Sequence, residues 1–316
     1  MSAVPLVDLS PWYSGDPAGR RQVATDVDRA LCEAGFLLVT GHRLPAGLAD
    51  RVRAEVWPFF ARPATTKAEV ACFPGGRGWV APGCDGPGTP PDLRETFAFG
   101  PEQVPAAVAG TAEAEWFGPN SWPAGLPGLP AAATAFADGC ARLVADLLRV
   151  CALALDLDDD FFVSRGRGDT WGVDLHWYPA RQAVAPVLPG QVRMAPHTDA
   201  GTLTLLDRGS GSGGLQVRTL DGAWVDAPAV PGALTVNAGD LLARWTGDRW
   251  RSTPHRVLPP PVELPAEELL SLAFSHQADP LTVVETLPTA AAGPTRCEPV
   301  TAGQFRRARM NSVSVG

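Results

Sequence analysis

From Trp171 onward the chain breaks into short apolar stretches, at 191–197, 201–206, 214–217, 233–237, 240–245, 254–258 and 270–275, divided by Gly, Pro and Asp turns. Stretches of that length and spacing predict antiparallel strands in a sandwich or barrel. Glycine and proline, 33 and 32 of the 316 residues, supply the turns, and an apolar content of 45% supplies a core.

The N-terminal part follows a different period. Val23, Val27, Leu31 and Ala34 recur at helical spacing, Gly35 ends the pattern, and the apolar run Phe36–Thr40 reads as a buried strand. Leu48, Val52 and Val56 mark a second helix that Pro58 is expected to stop, and 65–71 reads as a short third one. Phe136, Cys140, Leu143, Val144, Leu147 and Cys151 form one stripe within 130–157, a long helix expected to back the sheet. Residues 74–92 hold too many Gly and Pro for regular structure and form a candidate lid. The expected fold is α+β and mainly β, in one globular unit: a helical N-terminal region over 1–120 carrying the lid-like loop, and a β core over 121–316.

Charge narrows the partners. A formal net charge of −8 argues against nucleic acid, because a phosphate backbone calls for a concentrated basic face. No apolar run approaches the roughly 18 residues of a membrane span, and the opening MSAVPLVDLS lacks the basic-then-apolar order of a signal peptide, so a cytoplasmic protein without a membrane partner is expected. The six cysteines form no C-x-x-C pair and read as free thiols. Lys67 is the only lysine, which reads as a compositional bias toward arginine.

The β half holds His197, Asp199 and, 56 residues later, His255. Two imidazoles and one carboxylate make a facial set for non-haem Fe(II), with positions left open for substrate, cosubstrate and oxygen; zinc accepts the same ligands. In an extended strand, residues two apart share a face, so His197 and Asp199 address one ion while His255 arrives from another strand. With five histidines and 22 aspartates, an H-x-D triplet arises by chance in roughly one such chain in three, so the triplet alone is weak. Its surroundings are more specific: R-M-A-P-H-T-D-A-G-T-L-T-L-L, then G-G-L-Q-V, N-A-G-D-L-L-A-R-W-T and R-S-T-P-H-R-V, in that order.

These motifs, with P-P-D-L-R-E-T-F at 90–97 and the stretch from Pro5 to His42, resemble the isopenicillin N synthase-like family of Fe(II) and 2-oxoglutarate-dependent oxygenases across nearly the whole chain. The resemblance implies a double-stranded β-helix, or jelly roll, with the metal between two sheets. It makes His197, Asp199 and His255 the iron ligands, with O2 as cosubstrate and a small organic molecule as substrate for hydroxylation, desaturation or ring closure. Members that use 2-oxoglutarate usually carry R-x-S on a late strand, the Arg pairing with the distal carboxylate. Here the Ser is Ser271 and the Arg position holds Leu269. Tyr178 in H-W-Y-P matches a family tyrosine of that region, and Arg193, four residues before His197, is a substitute cation if the strand alternates regularly.

Three readings follow: a 2-oxoglutarate-dependent oxygenase, an oxidase that takes all four electrons from its substrate as isopenicillin N synthase does, and a non-catalytic metal-binding jelly roll. His176 is either near the substrate or a core histidine, and His42 and His276 read as structural. Trp79, Phe97, Phe99 and Trp177 are pocket-wall or core residues. The oligomeric state is left open.

Overall fold

The computed structural model describes residues 4–72, 76–83, 90–166, 170–180, 183, 188, 190–209, 211, 214–260, 263–287 and 295–314, with side chains to Met310. Strand β1 (Leu6–Asp8) and the single turn α1 (Ser10–Tyr13) lead into α2 (Pro17–Glu33). Asp16 caps α2, its carboxylate accepting from the Ala18 and Gly19 amides, and Pro17 takes the first helical position, where a missing N–H costs nothing. Gly35 follows at φ +69; a Cβ there would lie 2.4 Å from the Arg251 carbonyl, so only glycine fits. Strand β2 (Phe36–Thr40) comes next, as the apolar run predicts.

Helix α3 (Leu48–Phe60) runs through Pro58 rather than stopping at it. Proline removes one backbone donor near the helix end, while Phe59 and Phe60 in the same turn are 0% and 3% exposed; their burial holds the turn helical. The short third helix is α4 (Ala64–Lys67), extended by one 3-10 turn. In the candidate lid, residues 74, 75 and 84–89 lie outside the described residues, but Gly78–Val80 is a regular strand, β3, paired antiparallel with β4 (Glu95–Phe99). Helix α5 (Leu129–Ala154) is the long helix, and it packs on α2 and α3 as well as on the sheet.

The remaining strands are β5 (Trp171–Tyr178), β6 (Met194–His197), β7 (Leu203–Asp207), β8 (Leu215–Arg218), β9 (Trp224–Asp226), β10 (Leu234–Ala238), β11 (His255–Val257) and β12 (Leu269–His276); helix α6 (Asp240–Trp245) lies between β10 and β11. The chain closes with β13 (Val283–Val284), β14 (Val300–Thr301) and α7 (Ala302–Ser314). One eight-stranded sheet runs β1-β2-β10-β7-β12-β5-β4-β3, and a four-stranded sheet runs β6-β11-β8-β9. Strands β1 and β2 pair in parallel, and the other neighbours within these sheets pair antiparallel. The expected strand at 240–245 is a helix: D-L-L-A-R-W is a short apolar run of the kind periodicity cannot resolve.

Alternation on the large sheet separates two cores. Val173, Leu175, Leu203, Leu205, Leu270, Leu272 and Phe274 face α2 and α5, in the larger apolar cluster. Their neighbours at the opposite parity, Tyr178 and Leu269, face the small sheet with Met194, Leu215, Val217 and Val257. A cleft lies between the sheets, on a wall whose other face is closed by helices. His42 reaches the Gly232 carbonyl at 3.1 Å, and His276 is buried, with Thr202 Oγ1 at 2.7 Å from its Nδ1. Of the described cysteines, Cys140 and Cys151 are buried and Cys32, Cys72 and Cys297 half-buried, all as free thiols; Cys84 lies outside the described residues.

His276 makes a pH prediction. Burial pushes its imidazole down to about 4, so acid protonates the unfolded chain before the folded one. Its contribution to stability is whole above about pH 6.5 and is lost as pH falls toward 4, by roughly 3 kcal/mol. In His276→Gln the unfolding free energy from urea titrations should fall correspondingly less between pH 7 and 4. Equal pH slopes in the two proteins would contradict the assignment.

Candidate metal centre and cosubstrate cleft

His197 ends β6 and His255 begins β11, directly opposite each other in the ladder. Their ring centroids are 4.2 Å apart. Asp199 follows in the turn after β6, and its Oδ1 lies 3.8 Å from Nε2 of both histidines. One donor atom from each of the three falls within 4.8 Å of the others.

The surroundings set the chemistry of each donor. Nδ1 of His197 lies 2.8 Å from the Ala195 carbonyl and Nδ1 of His255 lies 3.1 Å from that of Thr253. A carbonyl only accepts, so each Nδ1 carries the proton and each Nε2 turns its lone pair toward the centre. Asp199 Oδ2 accepts from Thr204 Oγ1 at 2.6 Å and Asn237 Nδ2 at 2.8 Å, which leaves Oδ1 to face the imidazoles. Burial would raise the Asp199 carboxyl, but the two imidazoles and these hydrogen bonds outweigh it and hold it below the usual range. Burial, reinforced by His255, pushes His197 down to about 4, so the imidazole is neutral at neutral pH. Two imidazole nitrogens and one singly available carboxylate oxygen suit a divalent first-row metal.

The turn that carries Asp199 is fixed from behind. Asp240 N donates to the Asp199 carbonyl at 2.7 Å, Gly239 N to Thr202 and Leu241 N to Gly201, so the start of α6 takes up the turn's carbonyls. A Cβ on Gly239 would lie 2.3 Å from the Gly201 carbonyl, which explains the glycine of N-A-G-D. At the mouth, Arg309 from α7 donates to Thr198 Oγ1 at 2.8 Å and pairs with Asp240 at 2.6 Å, bringing the C-terminal helix to the residue between His197 and Asp199.

A cleft of about 950 Å3 opens from this centre between the sheets, and Tyr178, Leu269, Ser271 and His176 all line it. Tyr178 and Ser271 are diagonal neighbours on the paired strands β5 and β12, Leu269 standing opposite Tyr178 and Ser271 opposite His176. Arg94 Nη1 donates to His176 Nδ1 at 3.2 Å, and Thr96 Oγ1 lies 2.9 Å from the same nitrogen. His176 thus presents Nε2–H, and burial with Arg94 beside it pushes its pKa well down.

Arg193 does not reach this cleft. The expected alternation fails because β6 carries a bulge: His255 opposes His197 and Val257 opposes Met194, so three steps on β6 match two on β11. The extra residue brings Met194 to the face of His197 and turns Arg193 away. Its guanidinium pairs with Glu267 at 3.1 Å, donates to the Glu267 carbonyl at 3.0 Å and lies over the Tyr178 ring. Trp79, Phe97, Phe99 and Trp177 are core residues, Trp177 stacking on Phe60 at 5.7 Å, whereas Phe36 lines the cleft edge-on to His255.

Several cleft residues escape a reading of the sequence. Asp174 and Arg208 continue the alternation of His176 and Tyr178 on β5 and of Thr204 and Leu206 on β7, a signal visible once strand ends are known. Arg94 sits in the P-P-D-L-R-E-T-F motif. Arg309 carries no signal, being brought in by a helix 111 residues beyond Thr198.

A jelly roll with two imidazoles and a carboxylate converging between its sheets defines the class of mononuclear non-haem metal oxygenases. Comparison with known proteins agrees. Residues 4–125 match the family described as non-haem dioxygenase in morphine synthesis N-terminal, and residues 175–274 match the 2OG-Fe(II) oxygenase superfamily. Validamycin A dioxygenase from Streptomyces hygroscopicus subsp. limoneus is 39% identical over 92% of this chain and 80% of its own length. A homoarginine-6-hydroxylase from Glycine max is 31% identical over 91% and 89%. The crystal structure of a full-length Neurospora crassa protein in complex with alpha-KG and thymine superposes with a TM-score of 0.86 at 29% identity, covering 98% of this chain and 96% of that one. The chain belongs to the Fe(II)/2-oxoglutarate-dependent oxygenases. It is an Fe(II) oxygenase of small molecules that uses 2-oxoglutarate and O2, and the readings as a cosubstrate-free oxidase or a non-catalytic jelly roll are not favoured. Among the described residues no helix is long and apolar enough to cross a membrane.

Proposed function

We propose that His197, Asp199 and His255 hold the Fe(II), that Tyr178 and Ser271 contact 2-oxoglutarate, and that the substrate is a small polar molecule bearing an amino group or another strong hydrogen-bond donor. Iron with 2-oxoglutarate supplies the activation of dioxygen. The protein's part is to aim two Nε2 lone pairs and one carboxylate oxygen at one point, to bury them, and to place one C–H bond of the substrate beside them.

The observation that carries the substrate class is Asp174. Its carboxylate lines the cleft on the face of β5 that also bears His176 and Tyr178, and among the described residues no hydrogen bond or ion pair engages it. Burial raises its pKa to about 6, so a partner that donates to it would restore a favourable anion. Validamycin A dioxygenase and homoarginine-6-hydroxylase, among the relatives, bear names of polar substrates. The test is succinate formation from 2-oxoglutarate across a panel of small amines, polyols and apolar compounds. Amines should stimulate turnover, and Asp174→Asn should raise their KM by about tenfold or more while leaving 2-oxoglutarate binding unchanged. Stimulation confined to apolar compounds would overturn the substrate assignment.

A further inference from the structure

We infer that Arg208 supplies the cation for the distal carboxylate of 2-oxoglutarate, in place of the arginine that Leu269 has displaced. The inference rests on the cosubstrate reading of the cleft. Leu272 pairs with Asp207 and Ala273 with Leu206, so continuing the ladder by one row sets Arg208 opposite Ser271. A Cβ on Gly209 would lie 3.2 Å from the Leu270 carbonyl, which keeps the chain beside β12 beyond the last paired row. Residues opposite each other in a sheet have Cβ atoms about 5 Å apart and diagonal ones about 7–8 Å. A guanidinium at 208 is therefore one strand across and two rows along, the diagonal same-face neighbour, from the position it would have at 269. Thr204 and Leu206, which share its parity, line the same cleft, as do Tyr178, Leu269 and Ser271.

The guanidinium is oriented and has an edge to spare. Its Nη1 donates to the Ala227 carbonyl at 2.8 Å and to the Pro228 carbonyl at 3.0 Å. Among the described residues no hydrogen bond engages Nε or Nη2 and no carboxylate lies within ion-pair distance, so one side of a planar fork is left for an incoming carboxylate. Burial lowers the Arg208 pKa, with Asp226 the opposing influence, a cost that a bound anion relieves. The other arginines nearby are engaged: Arg193 by Glu267, Arg94 by Asp92 and Thr96, and Arg309 by Asp240.

The experiment is an anaerobic titration of the Fe(II) protein with 2-oxoglutarate, read by the visible charge-transfer absorption of the chelate and by calorimetry. 2-Oxovalerate, which has the same chelating end and no distal carboxylate, serves as the control. Arg208→Gln should weaken 2-oxoglutarate binding by about thirty- to several-thousand-fold, with Fe(II) affinity, Tm and 2-oxovalerate binding unchanged. Adding Leu269→Arg to Arg208→Gln should recover much of the loss. An unchanged 2-oxoglutarate affinity in Arg208→Gln, or an equal loss for 2-oxovalerate, overturns the inference alone. No charge-transfer band in the wild type at any concentration overturns the cosubstrate reading and the inference with it.

Discussion

Asp199→Ala, His197→Ala and His255→Ala should each abolish turnover and lower Fe(II) affinity by roughly a thousandfold or more, measured by anaerobic calorimetry, while circular dichroism shows the fold retained. The size of the effect follows from the donor set. On the proposed assignment each residue supplies one of three donors, and removing one leaves two that no longer form a facial set. Asn237→Ala and Thr204→Val make the graded control: they free Asp199 Oδ2 without removing a donor, and loss of such a supporting contact costs about 10- to 100-fold in affinity. If the alanine variants at 197, 199 and 255 bound Fe(II) like the wild type, the ion would sit elsewhere. If the two supporting variants matched them in severity, the asymmetry between Oδ1 and Oδ2 would be wrong.

The convergence of His197, Asp199 and His255 is legible in the sequence because its signal is local: H-x-D, which runs from the end of β6 into the turn after it, and a second histidine that opens a strand. So is the alternation that splits β5, β7 and β12 between the helical layer and the cleft, since period two survives wherever a strand is regular. Legibility fails where a single residue changes the parity. Arg193 looks correctly placed by counting, yet the β6 bulge reverses it, and a bulge has no compositional mark. It fails again where one pattern serves two structures, as for 240–245, whose helical state is settled by amide donors meeting the carbonyls of the Asp199 turn. Pro58 shows the converse, a strong local signal overridden by burial of Phe59 and Phe60. Arg208 and Leu269 together are legible only from the ladder, because a charge moved to the next strand has no trace in sequence spacing.

Lys67→Met should destabilise the protein by about 3–5 kcal/mol in guanidinium unfolding. Compositional bias explains why the chain has one lysine but not why it stands here. Lys67 is 4% exposed. Its ammonium donates to both oxygens of Glu95, at 2.8 and 2.6 Å, and to the Phe60 carbonyl at 3.1 Å, while the Trp79 and Trp177 rings lie 5.4 and 5.6 Å away. Three acceptor contacts around a compact charge suit three rotatable N–H donors; a planar guanidinium would not meet all of them between two indole rings. Trp79 Nε1 also donates to Glu95 at 2.7 Å, so the methionine variant strands a buried carboxylate with one neutral donor. Removing the charge from both sides, as in Lys67→Met with Glu95→Gln, should return most of the loss, because the penalty belongs to the unpaired ion rather than to the absence of the pair. Glu95 also stands between Arg94 and Thr96, both of which contact His176 in the cleft, so the single variant should raise the KM of the substrate as well. A single variant as stable as wild type would mean that water, not protein, solvates Glu95.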